Sequence, residues 1–151
     1  MAKLKYAKNI ITRYLSDEEL TIRGRTPEKR KPGIPFSNGV LWLDEKIIKD
    51  AFYMEVCLVG PGTKSTGEMV KPHIHEFDEI IGFVGTSVEN PKDLGGEAII
   101  WLNDEKHVLT KTCMVYVPAG LKHCPLSFEK VSKPIVHYSV MTGKQYLWTY
   151  V

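Results

Sequence analysis

The sequence lacks several features that would assign it to a common class of protein. It has no run of about 18 apolar residues, so no membrane-spanning helix is predicted. Its formal net charge is only +2, which gives no reason to expect a nucleic acid or an anionic membrane as partner. No signal-peptide hydrophobic core follows the first residues, and we therefore expect an intracellular, cytoplasmic protein.

Cysteine is scarce as well. Cys57, Cys113 and Cys124 are the three present, and no two of them have the CxxC spacing. They fit a reducing compartment better than a disulfide framework. We interpret them as small buried hydrophobic residues.

Short apolar or alternating segments, separated by turn signals, fill the chain from residue 40 onward. The predicted strands are 40–43, 47–59, 80–85, 97–102, 107–110, 113–117, 128–131 and 135–141, with an aromatic strand at the end through Tyr146, Trp148 and Tyr150. The pair Gly95 and Gly96 suits a tight turn. Residues 40–151 are thus expected to form an all-β antiparallel barrel or sandwich. Residues 1–39 are expected to form an irregular or partly helical arm with a basic loop, which packs on the barrel or is exchanged with that of a second copy.

One stretch, from Pro72 to Glu79, carries the strongest chemical signal. His73 and His75 are two residues apart, so on an extended strand both side chains point to the same face. Glu79 follows far enough on for the chain to bend and return its carboxylate to the two imidazoles. Imidazole nitrogen and carboxylate oxygen together suit a borderline or hard divalent metal.

A further histidine, His123, follows the turn formed by Pro118, Ala119 and Gly120. With it the chain resembles the cupin family, whose first motif is matched by Gly67, His73, His75, Glu79 and Gly85, and whose second is matched by Pro118, Gly120 and His123. Gly85 stands one residue early, Thr112 occupies the second motif's leading glycine position, and Ser127 replaces its asparagine. The resemblance covers roughly residues 52–141.

This resemblance implies a cupin-type antiparallel β-barrel, also called a jelly roll or double-stranded β-helix. It implies one divalent transition metal per chain, such as iron, manganese, zinc or nickel, bound by His73, His75, Glu79 and His123. Cys124, next to His123 on a strand, should then face away from the metal. Cupins commonly form dimers, and we expect a homodimer whose interface uses the aromatic last strand and the arm.

The resemblance also implies an enzyme acting on a small oxygenated organic molecule: a carboxylate, keto-enol or phenolic compound. Dioxygenase, decarboxylase and isomerase chemistry all remain open, and the alternative is a non-catalytic metal-dependent binding or sensor module. Candidate acids or bases are Tyr53 and Glu55, which share with Cys57 a strand face that either lines the barrel or lies outside it. His137 is a third candidate, with a hydrogen-bonded structural role as its alternative.

Overall fold

The computed structural model of the chain describes residues 5–22, 40–64 and 70–151. Within these ranges the chain forms a 3-10 turn at Ala7–Asn9, one helix, α1 (Asp17–Ile22), and ten strands. The strands are β1 (Val40–Leu43), β2 (Tyr53–Val59), β3 (His73–Ile74), β4 (Glu79–Gly85), β5 (Asp93–Leu102), β6 (Glu105–Lys111), β7 (Cys113–Val117), β8 (His123–Glu129), β9 (Ile135–Met141) and β10 (Thr149–Tyr150). No helix in the described ranges has the length and hydropathy needed to span a bilayer.

The strands form two antiparallel sheets of five strands each. Sheet A has the order β1-β2-β9-β4-β7, and sheet B has the order β10-β3-β8-β5-β6. The inner faces of the sheets pack against each other around a core that includes Val59, Phe83, Ile100 and Phe128. Because the chain passes repeatedly from one sheet to the other, the architecture is that of a jelly roll, and the all-β prediction is confirmed.

The predicted strand at 47–59 is too long, since β2 begins only at Tyr53. Asp44 accepts hydrogen bonds from the backbone N–H groups of Lys46 and Ile47, at 3.0 and 3.2 Å, which folds the chain into turns after β1. Asp50 has a φ of 66°, in the left-handed region. The apolar alternation therefore continues across a segment that is not extended.

Gly95 and Gly96 do not form the predicted tight turn but lie inside β5. The pairing register of β5 with β6 shifts between Asp93 and Ala98, which is the mark of a β-bulge. Gly95 has a φ of 75°, a value that glycine adopts without a steric penalty. The glycines therefore bend a strand instead of reversing the chain.

The face of β2 that carries Tyr53, Glu55 and Cys57 lines the interior, because all three side chains are buried. On the neighbouring strand β9, His137 and Ser139 are buried in the same way and pair with Cys57 and Glu55. The sequence did not decide whether this face of β2 lines the barrel or lies outside it, and the structure shows that it lines the barrel.

The outer face of sheet A carries no charged side chain on its strands in the described part of the chain. Across the strands it consists of Leu43, Met54, Val140, Ile80 and Tyr116, then Leu41, Val56, Tyr138, Gly82 and Met114, then Leu58, Val136 and Val84. On the outer face of sheet B, by contrast, Glu97 lies opposite Glu129, and Trp101 lies opposite Lys106.

The described part of the arm contacts the barrel. Ser16 and Glu19 form a reciprocal pair of hydrogen bonds at the start of α1, which is a capping box. Leu15 is buried in a second core cluster with Trp42, Tyr53, Cys57 and Met141. The predicted basic loop lies in residues 23–39, outside the described residues, and the division of the chain at residue 39 stays a prediction.

Candidate metal centre

His73 and Glu79 belong to different sheets. His73 opens β3 in sheet B, and after a bend through residues 75–78 the chain enters β4 of sheet A at Glu79. The bend returns the carboxylate to the histidines, as the spacing predicts: His75 Nε2 lies 3.4 Å from Glu79 Oε2. Both side chains are buried.

Two hydrogen bonds connect the turn of the second motif to the first motif. The N–H of Gly120 donates to the carbonyl oxygen of His75 at 2.9 Å, and the N–H of Ala119 donates to Asp78 Oδ1 at 2.9 Å. Gly120 has a φ of 81°, which explains why a glycine ends this turn. His123 then starts β8 directly opposite His73 and is completely buried.

Four side-chain donor atoms converge inside the barrel. His73 Nε2 lies 3.1 Å from His75 Nε2, and His123 Nε2 lies 3.0 Å from Glu79 Oε2. The donor nitrogens of the three histidines lie within 4.8 Å of one another. Donors bound at about 2.1 Å would be roughly 3.0 Å apart at right angles and roughly 3.4 Å apart in a tetrahedron, so these separations suit ligands of one ion.

The second nitrogen of each imidazole donates to a backbone carbonyl, which fixes the tautomer. The acceptors of the three Nδ1–H groups are the carbonyl oxygens of Lys71 at 2.7 Å, Leu147 at 2.5 Å and Leu121 at 3.0 Å. A carbonyl can only accept, so the proton of each neutral ring is on Nδ1 and the Nε2 lone pair is unprotonated. Backbone carbonyls that orient metal-binding histidines in this way are common.

Neutral imidazoles with this tautomer cannot form a hydrogen bond between His73 Nε2 and His75 Nε2. Glu79 Oε2 and His123 Nε2 are likewise buried without a hydrogen-bond partner among the described residues. Buried lone pairs that face one another are unfavourable unless a cation lies between them. The donor set therefore fits a divalent metal ion.

The ionisation of the site favours the metal-binding state of its residues. Burial lowers the pKa of His73 to about 4, so that its imidazole is neutral at neutral pH. Burial acts to raise the pKa of Glu79, but contacts with His123, His75 and Ser139 outweigh it and hold the pKa below its usual range. Neutral imidazole and ionised carboxylate are the forms that bind metals.

A small cavity of about 20 Å³ adjoins three of the four donors, His73, Glu79 and His123. A volume of about 10–15 Å³ holds one water, so the cavity takes a water or a diatomic molecule. Besides the donors, its lining consists of Glu55, Val70, Ile81, Cys124, Leu126, His137, Ser139 and Tyr146. Ser139 donates a hydrogen bond to Glu79 Oε1 and so orients this carboxylate.

The three predicted acids or bases take different positions. Glu55 is buried and lines the cavity. His137 also lines it, but its Nδ1 donates to the carbonyl of Gly82 at 3.1 Å and its ring stacks on Phe83, with centroids 5.1 Å apart. Tyr53 packs behind Tyr146, 5.0 Å between ring centroids, and is not part of the cavity lining.

The prediction that Cys124 faces away from the site is wrong. Cys124 has a φ of 69°, and the pairing of β8 with β5 shifts register between Ile100 and Leu102, next to His123. Strand alternation is therefore broken, and both His123 and Cys124 point inward.

Sequence reasoning missed Tyr146 and Leu147 as parts of the site. They lie in the coil between β9 and β10, because the predicted aromatic strand shortens to Thr149–Tyr150. The hydroxyl of Tyr146 is 3.5 Å from His73 Nε2, and the carbonyl of Leu147 holds His75. The run of aromatic residues near the end of the chain was the available signal, but it was interpreted as a strand face.

Two of the departures from the cupin pattern are in contact with each other. The N–H of Gly85 donates to Thr112 Oγ1 at 2.9 Å, so the early glycine and the threonine form one contact. A Cβ on Gly85 would lie 1.9 Å from the carbonyl oxygen of Asp93, which requires glycine here. Gly67 lies outside the described residues.

Several solved structures have an architecture similar to that of this chain. No protein-family model matches the sequence, and no curated protein matches it. Among solved structures, an oxalate oxidase is 17% identical with a TM-score of 0.47, and the match covers 74% of this chain and 54% of the other. A cupin-like protein from Thermotoga maritima is 13% identical, with a TM-score of 0.47 and coverage of 75% and 74%. The polyketide cyclase RemF from Streptomyces resistomycificus is 16% identical, with a TM-score of 0.47 and coverage of 75% and 70%.

The chain spans about half the length of the oxalate oxidase. The two antiparallel sheets have the jelly-roll arrangement, and the histidines and glutamate match the motif residues. In both respects the chain resembles the cupin family.

Proposed function

We propose that the protein is a metal-dependent enzyme of cupin type that acts on a small oxygenated organic molecule. The observation that carries the proposal is the convergence of the Nε2 atoms of His73, His75 and His123, with Glu79 Oε2 within 3.4 Å of the last two. These four side chains would hold one iron, manganese, zinc or nickel ion. When bound, the metal supplies a Lewis acid that polarises a carboxylate, keto-enolate or phenolic oxygen.

The residues around the donors have separate roles in this proposal. Glu55 is the acid or base, since it is a buried carboxylate on the wall of the cavity beside the donors. Ser139 holds Glu79 in one orientation. Ile81 and Leu126 form an apolar part of the cavity wall, which lowers the local dielectric and strengthens electrostatic interactions within the cavity.

In this proposal His137 is a positioning residue, because its hydrogen bond to the carbonyl of Gly82 and its stacking on Phe83 fix its ring. Tyr53 positions Tyr146 through their ring contact and does not exchange protons with the substrate. This divides the three candidates of the sequence into one proton-transfer group and two positioning residues.

The experiment that tests the proposal is metal analysis of protein purified without a metal-binding tag, followed by assays with a panel of carboxylates and phenols. Dioxygen uptake on addition of a substrate supports a dioxygenase, and turnover without uptake supports a decarboxylase or an isomerase. Glu55→Gln should retain the metal but lower kcat by about 10²–10⁴-fold. Full activity in this variant would contradict the role of Glu55.

A metal-dependent binding or sensor module is the second candidate. The observation that favours it is the small size of the cavity, about 20 Å³, which takes a water or a diatomic ligand but has no room for an organic substrate while the side chains keep these positions. A module of this kind binds its ligand without turnover. Ligand binding by calorimetry, with no product formed over many hours from any compound of the panel, would support it over the enzyme.

We also propose that two copies of the chain pair through the outer face of sheet A. An uncharged face is complementary to itself, as a twofold interface requires. Five strands spaced about 4.8 Å apart and about 20 Å long give the sheet a flat area of roughly 500 Å², and the side chains that project from it add to this area. Exposed Met114, Tyr116 and Leu58 extend this area toward the ~800 Å² per partner of a standard interface.

A further inference from the structure

A larger pocket lies beside the small cavity at the donors, and Tyr146 lines both. The pocket measures about 320 Å³, against about 20 Å³ for the cavity. Sites for small molecules begin at about 300 Å³, so the pocket has the size of a ligand site and the cavity does not. The pocket is lined by Ile22, Trp42, Asp44, Lys46, Gln145, Tyr146, Leu147 and Trp148.

Tyr146 separates the pocket from the donors. On one side its ring centroid is 5.3 Å from that of His75, and its hydroxyl is 3.5 Å from His73 Nε2. Its ring centroid is also 4.9 Å from that of Trp148, which lines the pocket. Tyr146 belongs to the coil between β9 and β10, so rotation of its side chain breaks its ring contact with Tyr53 but no strand pairing.

The pocket wall is rich in aromatic rings. Trp42 is held in place because its indole N–H donates to Asp44 Oδ2 at 2.9 Å. The second oxygen of Asp44 accepts from the backbone of Lys46 and Ile47, so this carboxylate serves the turn of its own chain. Aromatic walls favour flat rings, which stack or meet them edge to face.

We propose that this pocket binds a planar aromatic compound with oxygen substituents, of the phenol or catechol type, against Trp148 and Tyr146. This is the substrate class of the enzyme proposed above, and the assignment as substrate rests on that function. Lys46 at the pocket supplies a hydrogen-bond donor for an oxygen substituent. Rotation of Tyr146 away from His73 joins the pocket to the cavity and gives the compound access to the donors.

The test is calorimetric titration of the metal-loaded and the metal-stripped protein with catechol and with trans-1,2-cyclohexanediol. The second probe has the same two oxygens but no flat ring. Catechol should bind about tenfold more tightly than the diol, including to the metal-stripped protein. Equal binding of the two probes, or binding of neither, would overturn the proposal.

Variants locate the site. Trp148→Ala should weaken catechol binding about tenfold, and Trp148→Phe, which keeps a flat ring and guards against misfolding of the alanine variant, should restore most of it. Trp101→Ala, on the outer face of sheet B, is the matched control and should leave binding unchanged. If Trp148→Ala binds catechol as wild type does, the pocket is not the site.

The two proposals fail separately in this design. If the purified protein contained no metal and took up none when metal was added, the proposed enzyme would be contradicted, and catechol binding by that protein would leave the pocket assignment standing. A bound metal, together with no catechol binding in either form, would contradict the pocket assignment and leave the metal centre standing.

Discussion

Sheets A and B contribute opposite chemistry to the same interior. The three bases come from the sheet B side, since His73 and His123 lie on β3 and β8 and His75 directly follows β3. The acidic side comes from sheet A, with Glu79 on β4 and Glu55 on β2. The three histidines lie on the sheet B side and Glu79 lies on sheet A, so an ion bound by all four donors would join the two sheets.

The outer faces of the two sheets differ as well. Sheet B carries charged residues, including Glu97, whose carboxylate accepts a hydrogen bond from Lys130 at 2.7 Å. Sheet A exposes apolar residues on all of its paired rows, among them Leu58 and Met114. The difference indicates that the outer face of sheet B is exposed to water, whereas that of sheet A is suited to a protein partner.

Loss of a donor from the sheet B side should have the largest effect. His75→Ala should reduce the metal content from about one ion per chain to nearly none, because it removes one of four donors. Elemental analysis measures this directly. His107→Ala is the matched control, since His107 lies on β6 away from the donors, and it should keep a full ion. Full metal content in His75→Ala would contradict the ligand assignment.

Two substitutions on the sheet A side should distinguish a donor from the residue that orients it. Glu79→Gln should weaken metal affinity more than Ser139→Ala, because Ser139 acts only through its hydrogen bond to Glu79. For Ser139→Ala we expect a loss of about 10–100-fold in affinity, measured by competition with a chelator. If Ser139→Ala lost as much affinity as Glu79→Gln, Ser139 would not act only through Glu79; if neither variant lost any, Glu79 would not be a ligand.

Metal removal should weaken the attachment between the sheets. At a free metal concentration 1,000 times Kd the ion contributes about 4 kcal/mol to the free energy of unfolding. For a chain of this length about 2–4 °C in Tm corresponds to 1 kcal/mol, so chelation should lower Tm by roughly 10 °C. His75→Ala should start at the lower Tm and show no further change with chelator. An unchanged wild-type Tm would indicate that no ion bridges the sheets.

The smallest effect concerns the outer faces and leaves the site intact. Leu58→Lys and Met114→Lys on sheet A should each convert a dimer to a monomer, detected by light scattering, because they place a charge in an apolar interface. Val108→Lys on β6 of sheet B, where Val108 is half exposed, should leave the dimer unchanged. A monomeric wild type at high concentration would contradict the proposed pairing.

Local geometry made half of the site predictable. The common facing of His73 and His75 follows from strand alternation, and the return of Glu79 follows from the bend that the spacing allows. The turn before His123 follows from its proline and glycine. Each of these inferences involves residues only a few positions apart.

The rest depends on contacts and conformations that the sequence pattern does not contain. Leu147 contacts His75 across 72 positions. Cys124 turns inward because of its left-handed backbone conformation. The facing of β2 was ambiguous because apolar residues occupy both sides, with Met54 and Val56 outside and Cys57 and Val59 inside. For such a strand, packing between the sheets determines which face points to the interior, and the local pattern does not.

The central claim is that four side chains from two sheets hold one ion. Anomalous diffraction from crystals of the metal-loaded protein, collected at the absorption edge of the bound metal, tests this most directly. We predict one peak per chain, about 2.0–2.2 Å from the Nε2 atoms of His73, His75 and His123 and from a carboxylate oxygen of Glu79. A peak elsewhere, or none between these four side chains, would contradict the account.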